Sequence, residues 1–288
     1  MAGGGPAAVR GRLAAVASGV AFGALGIFAQ AAYRDGADIL GLLPLRFVVA
    51  GGLLFLAARR LREPWPDARR AALCIALGGG GYLGFTLLFF STLRHASPGI
   101  AALLLYLNPF VVFAWSVAAG RERFHPRALV SLAVAAGGLL LVLRGGSASS
   151  MGIALGLATA LAYGSYLVVA SRVLSGLAPL AATALICLGA GAVALAAALA
   201  IGGELPRTAH GWGAFAGITL VSTVLALGLL TCALQRIPPT DVATIMMVEP
   251  IAAVLLSALV LGHALTLLQT LGATITLLAC AHFLRRRK

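Results

Sequence analysis

Apolar residues run along this chain in long, continuous stretches, which short clusters of charged residues, glycine and proline separate. Each stretch is about twenty residues long, and at 1.5 Å per residue a helix of that length crosses a hydrocarbon core of about 30 Å. The pattern therefore predicts ten transmembrane helices with short connections and no separate soluble domain. The predicted spans are residues 13–32, 39–58, 71–91, 97–119, 128–144, 150–170, 180–201, 211–232, 239–261 and 265–284.

The composition supports the same fold class, an all-α integral membrane protein. The mean hydropathy is +1.02, and 61% of the residues are hydrophobic whereas 10% are charged. A soluble domain of this size needs more polar surface. A transmembrane β-barrel would show alternating polarity in segments of about ten residues, and the apolar runs here are continuous. The first run, residues 13–32, is too long for the apolar region of a signal peptide and predicts a retained helix.

The net charge of +13 reflects membrane orientation rather than nucleic-acid binding, because the basic residues lie at the ends of the apolar runs. With a cytoplasmic N-terminus, sixteen Lys and Arg residues fall on the cytoplasmic side and four on the other, with Arg46 inside a span. This bias predicts that both termini are cytoplasmic, as an even number of spans requires.

The four cysteines, Cys74, Cys187, Cys232 and Cys280, all lie inside apolar runs without a CxxC pair. They are interpreted as small buried hydrophobic residues, so neither a disulfide framework nor a metal site is expected. No nucleotide-binding motif is present, and we expect no cofactor. The glycine-rich stretch 78–84 is unsuited to a regular helix core, but no strand precedes it and no Lys-Ser/Thr follows it, so it is not a phosphate loop.

A shift of 141 residues aligns the sequence with itself without a gap. "LYLNPFVVFAW" (105–115) falls on "MMVEPIAAVLL" (246–256), and Arg144 falls on Arg285. The chain is therefore predicted to contain two five-helix repeats, 1–144 and 145–288. Because five is odd, the second repeat enters the membrane from the other side. Inverted repeats of this kind are common in secondary transporters, whose sites lie near the midplane between the repeats.

The motifs of both halves resemble those of the EamA-type members of the drug/metabolite transporter superfamily. They are "STLRHASPGIAALLLYLNPFVVFAW" followed by "GRERFHP", and "CALQRIPPTDVATIMMVEPIAAVLLSALVLG". The sequence departs from the family pattern at His263, which stands where Glu122 stands in the first half, and at Asn108, where an acidic residue is frequent. The resemblance covers nearly the whole chain. It implies transport of small metabolites, often export, across a bacterial inner membrane, and leaves the substrate open among amino acids, nucleobases, amines, vitamins and drugs.

Glu249 is the leading candidate for a site residue, because a carboxylate at a helix centre costs about 2.5–3.5 kcal/mol on insertion scales. The following Pro250 removes an intrahelical hydrogen bond and frees a carbonyl one turn earlier. Glu249 is expected to bind a cationic group or a proton, the alternative being a neutral carboxyl that fastens two helices. Asn108 matches it in the first repeat. It would either hydrogen-bond the same ligand or form an interhelical bond.

Arg46 would either hold a substrate carboxylate or extend its charge to the nearer membrane interface. Aromatic residues within the spans would line a midplane cavity or else pack between helices. Thr223 belongs to a polar stripe on the eighth span, where its hydroxyl could instead bond its own helix. The candidate substrate-binding residues beyond Glu249, Asn108 and Arg46 are Phe22, Tyr82, Phe85, Tyr106, Tyr163, Tyr166 and Thr223.

Together these features predict a secondary transporter for a small-molecule substrate that works by alternating access in the lipid bilayer. Its energy would come from the substrate gradient or from exchange with protons. The resemblance implies amino acids or related compounds as substrates and export as the direction. An intramembrane enzyme is the first alternative, but no HExxH motif, Asp-rich motif or Ser/His pair at membrane depth supports catalysis. A lipid flippase is the second alternative, and an expanded lateral opening would favour it.

Overall fold

The computed structural model describes residues 5–143, 147–261 and 265–285, and these residues form a helical bundle without a β-sheet. The predicted fold class is confirmed. Arg144, His263 and the basic residues 286–288 lie outside the described residues. The helices are α1 Pro6–Gly23 and Leu25–Arg34, α2 Ile39–Arg60, α3 Ala68–Ala76, Leu77–Tyr82 and Leu83–Leu93, α4 Pro98–Leu105 and Asn108–Ala118, α5 Pro126–Val142, α6 Ser150–Val173, α7 Pro179–Ile201, α8 Ala209–Thr219, Leu220–Leu225 and Ala226–Leu234, α9 Pro239–Ile245 and Val248–Leu261, and α10 Leu267–Arg285.

In the described part of the chain, nine helices are long and apolar enough to cross a membrane, and α5 is apolar but shorter, at 17 residues. The chain is therefore a multi-pass membrane protein. The observed helices follow the predicted spans closely, although α1 begins at Pro6, seven residues before the predicted start. Because ten helices alternate in direction, both ends of the described chain lie on one side of the bundle, which we term the terminal side.

The helix starts follow from local sequence chemistry. A side-chain oxygen at the N-cap accepts a backbone N–H of the first turn at Asp38, Asp67, Ser149 and Thr208. Such caps satisfy donors that have no partner within the helix. Proline occupies the first turn of the helices that begin at Pro6, Pro98, Pro126, Pro179 and Pro239, where its missing N–H is not needed.

Two helix irregularities recur at matching places in the two repeats. α3 and α8 each contain a π-helical turn, Leu77–Tyr82 and Leu220–Leu225. The turn in α3 occupies the glycine-rich stretch that the sequence marked as unsuited to a regular helix. α4 and α9 are each interrupted, and their second segments, which we term α4b and α9b, start at Asn108 and Val248. α1 also breaks, at Ala24, whereas its counterpart α6 is continuous.

Helices of one repeat pack mainly against helices of the other. α2 packs along α7 and α5 along α10, while α1 packs against α8 and α9 in the same way as α6 packs against α3 and α4. The breaks in α4 and α9 therefore lie where the two repeats meet, and this position defines the candidate site.

Candidate functional site

Glu249 lies in the first turn of α9b, directly after the break in α9. Its backbone N–H donates to the Met246 carbonyl at 3.0 Å, and its side chain is half-buried. The start of a helix carries partial positive charge, which favours a negatively charged carboxylate. α1 passes close to this turn, since a Cβ on Gly23 would lie 2.9 Å from the Glu249 carbonyl oxygen. The break thus places a carboxyl group at the crossing of α1 and α9.

The Glu249 carboxyl interacts with the hydroxyl of Tyr106, which lies at the matching break in α4. Glu249 also interacts electrostatically with Tyr82 of α3 and Tyr163 of α6. Glu249 and Tyr163 belong to the second repeat, and Tyr106 and Tyr82 to the first. The carboxyl is therefore surrounded by phenol groups from both repeats.

Two of these tyrosines, Tyr82 and Tyr163, form a compact aromatic cluster with Phe85 and Tyr166. Tyr82 and Phe85 have ring centroids 4.9 Å apart, Phe85 and Tyr163 are 4.5 Å apart, and Tyr82 and Tyr166 are 5.7 Å apart. Tyr163 and Tyr166 are stacked, with centroids 6.3 Å apart and 12° between the ring planes. Edge and stacked geometries of this kind are the favoured ones for aromatic pairs. The predicted aromatic residues of α3 and α6 are thus brought together.

Arg46, like Glu249, interacts with Tyr82. Its side chain is buried, its guanidinium interacts with Tyr82 and Cys187, and its Cζ is 4.6 Å from the centre of the Phe47 ring. Its Nε has no hydrogen-bond partner, and among the described residues no carboxylate lies within ion-pair distance. A buried guanidinium without a carboxylate can accept an anionic group of a ligand. Cys187 was not singled out from the sequence, although the shift of 141 residues places it opposite Arg46.

The remaining predicted residues have local partners. Asn108 is fully buried and donates from Nδ2 to the Leu105 carbonyl at 2.9 Å, while its Oδ1 has no donor. Thr223 donates to the Ile218 carbonyl at 2.9 Å, across the π-helical turn of α8. Phe22 is buried in the same apolar core as Tyr82 and Tyr163. Asn108 and Thr223 thus bond the backbone of their own helices at the irregular turns.

Two cavities lie beside this cluster. One, of about 370 Å³, is bounded by α3 and α6 and is lined partly by Phe85 and Tyr166. The other, of about 400 Å³, lies between Trp115 of α4 and Arg172 of α6. Ser165 lines both cavities and accepts a hydrogen bond from the Trp115 indole at 3.1 Å. Glu249 lines neither of these two cavities.

A polar cluster on the terminal side was missed by the sequence analysis. It contains Asp241, a buried carboxylate in the same predicted span as Glu249. The signal was present in "PPTDVATIMMVEP", because an aspartate in an apolar run carries the same insertion cost as a glutamate.

Comparison with known proteins agrees with this architecture. The EamA-like transporter family model matches the chain twice, over residues 9–144 and 150–285. The chain is 29% identical over 267 residues to "Uncharacterized transporter YcbK" of Bacillus subtilis (strain 168), covering 88% of this chain and 86% of that protein. A solved crystal structure with 19% sequence identity superposes with a TM-score of 0.80, over 96% of this chain and 98% of the other, and shows the shared fold. The two matches of the family model span nearly all of the sequence, and the chain therefore belongs to the EamA-like transporter family, within the drug/metabolite transporter superfamily.

Proposed function

We propose that this membrane transporter is a secondary transporter that exports amino acids or related small metabolites by alternating access. The proposal rests chiefly on Glu249, a carboxyl group in a broken helix that interacts with Tyr106 at the break of the other repeat. Broken helices between inverted repeats are where secondary transporters bind substrates and ions. Ionisable groups at membrane depth are costly and are associated with such pathways.

The substrate class follows from the chemistry around Tyr82. Glu249 and Arg46 both interact with Tyr82 and carry opposite formal charges. An ammonium group would pair with Glu249, and a carboxylate would form two hydrogen bonds to the Arg46 guanidinium. The rings of Phe85, Tyr163 and Tyr166 would contact an apolar or aromatic side chain. A zwitterionic amino acid presents these three groups together.

The membrane orientation is supported by charge. The terminal side carries sixteen of the 21 Lys and Arg residues of the chain, by sequence. The positive-inside rule assigns that side to the cytoplasm. With protons as the coupling partner, Glu249 would exchange a proton for the cationic end of the substrate. The membrane would be the inner membrane of a bacterium.

The test is transport by purified protein in liposomes. A panel of amino acids, amines, nucleobases and vitamins is screened with the unmodified protein, Glu249→Gln and Glu204→Gln at two pH values. Glu204 is the matched control, because it is a solvent-exposed loop carboxylate. We expect uptake of one substrate class, loss of its pH dependence in Glu249→Gln, and unchanged transport in Glu204→Gln. Normal pH-dependent transport by Glu249→Gln would contradict the role of this carboxyl.

A lipid flippase is the second candidate, and the two cavities beside α6 favour it because they lie between helices rather than around Glu249. The same liposomes, prepared with a fluorescent phospholipid, distinguish the two functions. Flipping of the lipid without movement of any solute would favour the flippase. Solute transport without lipid flipping would favour the metabolite transporter.

A further inference from the structure

A cluster of polar side chains joins the two repeats on the terminal side. The Thr240 hydroxyl donates to Glu122 Oε1 at 2.5 Å, and the Ser116 hydroxyl lies 3.3 Å from that of Thr240. The Asp241 carboxylate lies 3.9 Å from the Arg12 guanidinium, and its side chain is 5% exposed. We term these five residues the terminal-side cluster. It connects α1, α4 and the loop after α4 to the first segment of α9, Pro239–Ile245, which we term α9a.

The packing between α4 and α9 differs between the two ends of the bundle. On the terminal side, α9a packs against α4b, and residues 240–247 are all buried. On the opposite side, the repeat-related pair is the first segment of α4, Pro98–Leu105, and α9b. These two segments show no comparable packing in the described chain. Within residues 99–106, Ala101 and Tyr106 are buried and the other six are partly exposed. The bundle is therefore closed at the terminal side and looser at the other.

The sequence carries the same asymmetry. With the shift of 141 residues, Arg12, Thr240 and Asp241 fall on Ile153, Gly99 and Ile100, and Glu122 falls on His263. Ser116 falls on another serine, Ser257. Three of the five positions in the cluster are thus apolar residues or glycine at the opposite end. In an inverted repeat with identical halves, both ends of the bundle would carry the same residues for holding the helices together.

We propose that the terminal-side cluster is the lock of one gate of the transport pathway. It holds α9a against α4b in the state seen here and breaks when the pathway opens to the terminal side. The proposal rests on alternating access as the proposed function. Breaking the lock separates Thr240 from Glu122 and Asp241 from Arg12, whereas no equivalent set is found at the other end among the residues that the structure describes. Removing one hydrogen bond to a charged group should raise the open-to-closed ratio on the terminal side about tenfold.

The experiment measures distances between spin labels, so it needs no substrate. One label pair reports the terminal side, Ala119→Cys with Arg236→Cys. The other pair occupies the repeat-related positions, His95→Cys with Val260→Cys. All four positions are solvent- or lipid-exposed. Pulsed dipolar spectroscopy is performed in lipid nanodiscs, in a background where the four native cysteines are replaced by alanine.

The lock is weakened by Thr240→Val and, separately, by Asp241→Asn. The matched control is Thr183→Val, which also removes a buried interhelical hydroxyl bond, from Thr183 to Thr231 at 2.9 Å, away from the cluster. We expect a longer distance to appear on the terminal side in the two lock variants. The distance in the control should match that of the unmodified protein.

Unchanged terminal-side distances in both lock variants would overturn the proposal, whether or not the protein transports any substrate. An equal lengthening in Thr183→Val would also overturn it, because the effect would then be a general loss of packing. If the distances change as expected but no solute is transported, the lock stands as a conformational element and the proposed function fails. The two conclusions are therefore tested separately.

Discussion

Substituting Gly78 by alanine should separate α3 from α7 and destabilise the bundle. Gly78 lies in the π-helical turn of α3 and faces the backbone of α7. An added methyl group would overlap the Ile186 carbonyl oxygen, and would lie 2.7 Å from the Ile186 carbonyl carbon and 3.0 Å from the Ala190 nitrogen. These atoms are backbone atoms in the middle of a helix, so they cannot move aside as a side chain would.

The expected magnitude follows from two opposing effects. Carbon atoms in contact prefer separations of about 3.5–4.0 Å, so one helix must retreat by about 0.8 Å or more. Overpacking of this kind costs typically about 1–3 kcal/mol, and occasionally more. Replacing glycine by alanine within a helix gains up to about 1 kcal/mol. The net expectation is a destabilisation of about 1–2 kcal/mol, together with a displacement of Tyr82, which ends the same turn.

Gly80 supplies the matched control, because it belongs to the same glycine run and no atom lies within 4 Å of a Cβ placed there. Thermal unfolding of the purified variants in detergent is followed by the fluorescence of the three tryptophans. Gly78→Ala should unfold at a lower temperature than the unmodified protein, and Gly80→Ala at the same or a higher temperature. Equal midpoints for Gly78→Ala and Gly80→Ala would refute the argument that the α3–α7 contact requires glycine.

Two further predictions concern the loop before α8 and the crossing of α1 with α9. The backbone N–H groups of Thr208 and Arg207 donate to the Asp35 carboxylate, both at 2.8 Å, and lower its pKa below the ordinary value of 3.8. The folded state is therefore stabilised fully above about pH 4, and this stabilisation is lost as the pH falls through the lowered pKa. Asp35→Asn should therefore unfold at a lower temperature than the unmodified protein at pH 7, with the gap in midpoint narrowing as the pH falls below about 4. A gap in midpoint that does not narrow with falling pH would contradict this. Gly23→Ala places a methyl group 2.9 Å from the Ala253 nitrogen and the Glu249 carbonyl oxygen, whereas a Cβ on Gly26 meets nothing within 4 Å. Gly23→Ala should reduce transport in liposomes and Gly26→Ala should not, and equal transport by both would show that this crossing does not position Glu249.

The helical architecture and the position of Glu249 could be predicted because the membrane allows few alternatives. Hydrocarbon offers no hydrogen bonds to the backbone, so long apolar stretches must form helices. The shift of 141 residues with an odd number of spans requires inversion of the second repeat. "VEP" likewise places a carboxyl beside a break, because the proline cannot donate to the preceding turn. The structure has this break at Met246 and Met247, between the two segments of α9.

The partners of the candidate residues could not be predicted in the same way. Tyr106 was one of several aromatic residues within the spans, and nothing in its spacing distinguished it as the partner of Glu249. Asn108, which the alignment places opposite Glu249, instead bonds the Leu105 carbonyl. The π-helical turn of α8 is another example, because "LVSTVL" contains no glycine or proline to mark it.

The sequence by itself determined the ten helices, the inverted repeat and the place of one carboxyl beside a helix break, since these depend on local hydrophobicity and spacing. The tertiary structure decided that Tyr106 interacts with Glu249, that Arg46 interacts with Tyr82 and Cys187, and that Thr240 and Asp241 join α9 to the first repeat. Such contacts depend on the rotation of each helix about its axis and on the angle at which two helices cross. Both are set by the packing of complete side-chain surfaces rather than by any short stretch of sequence.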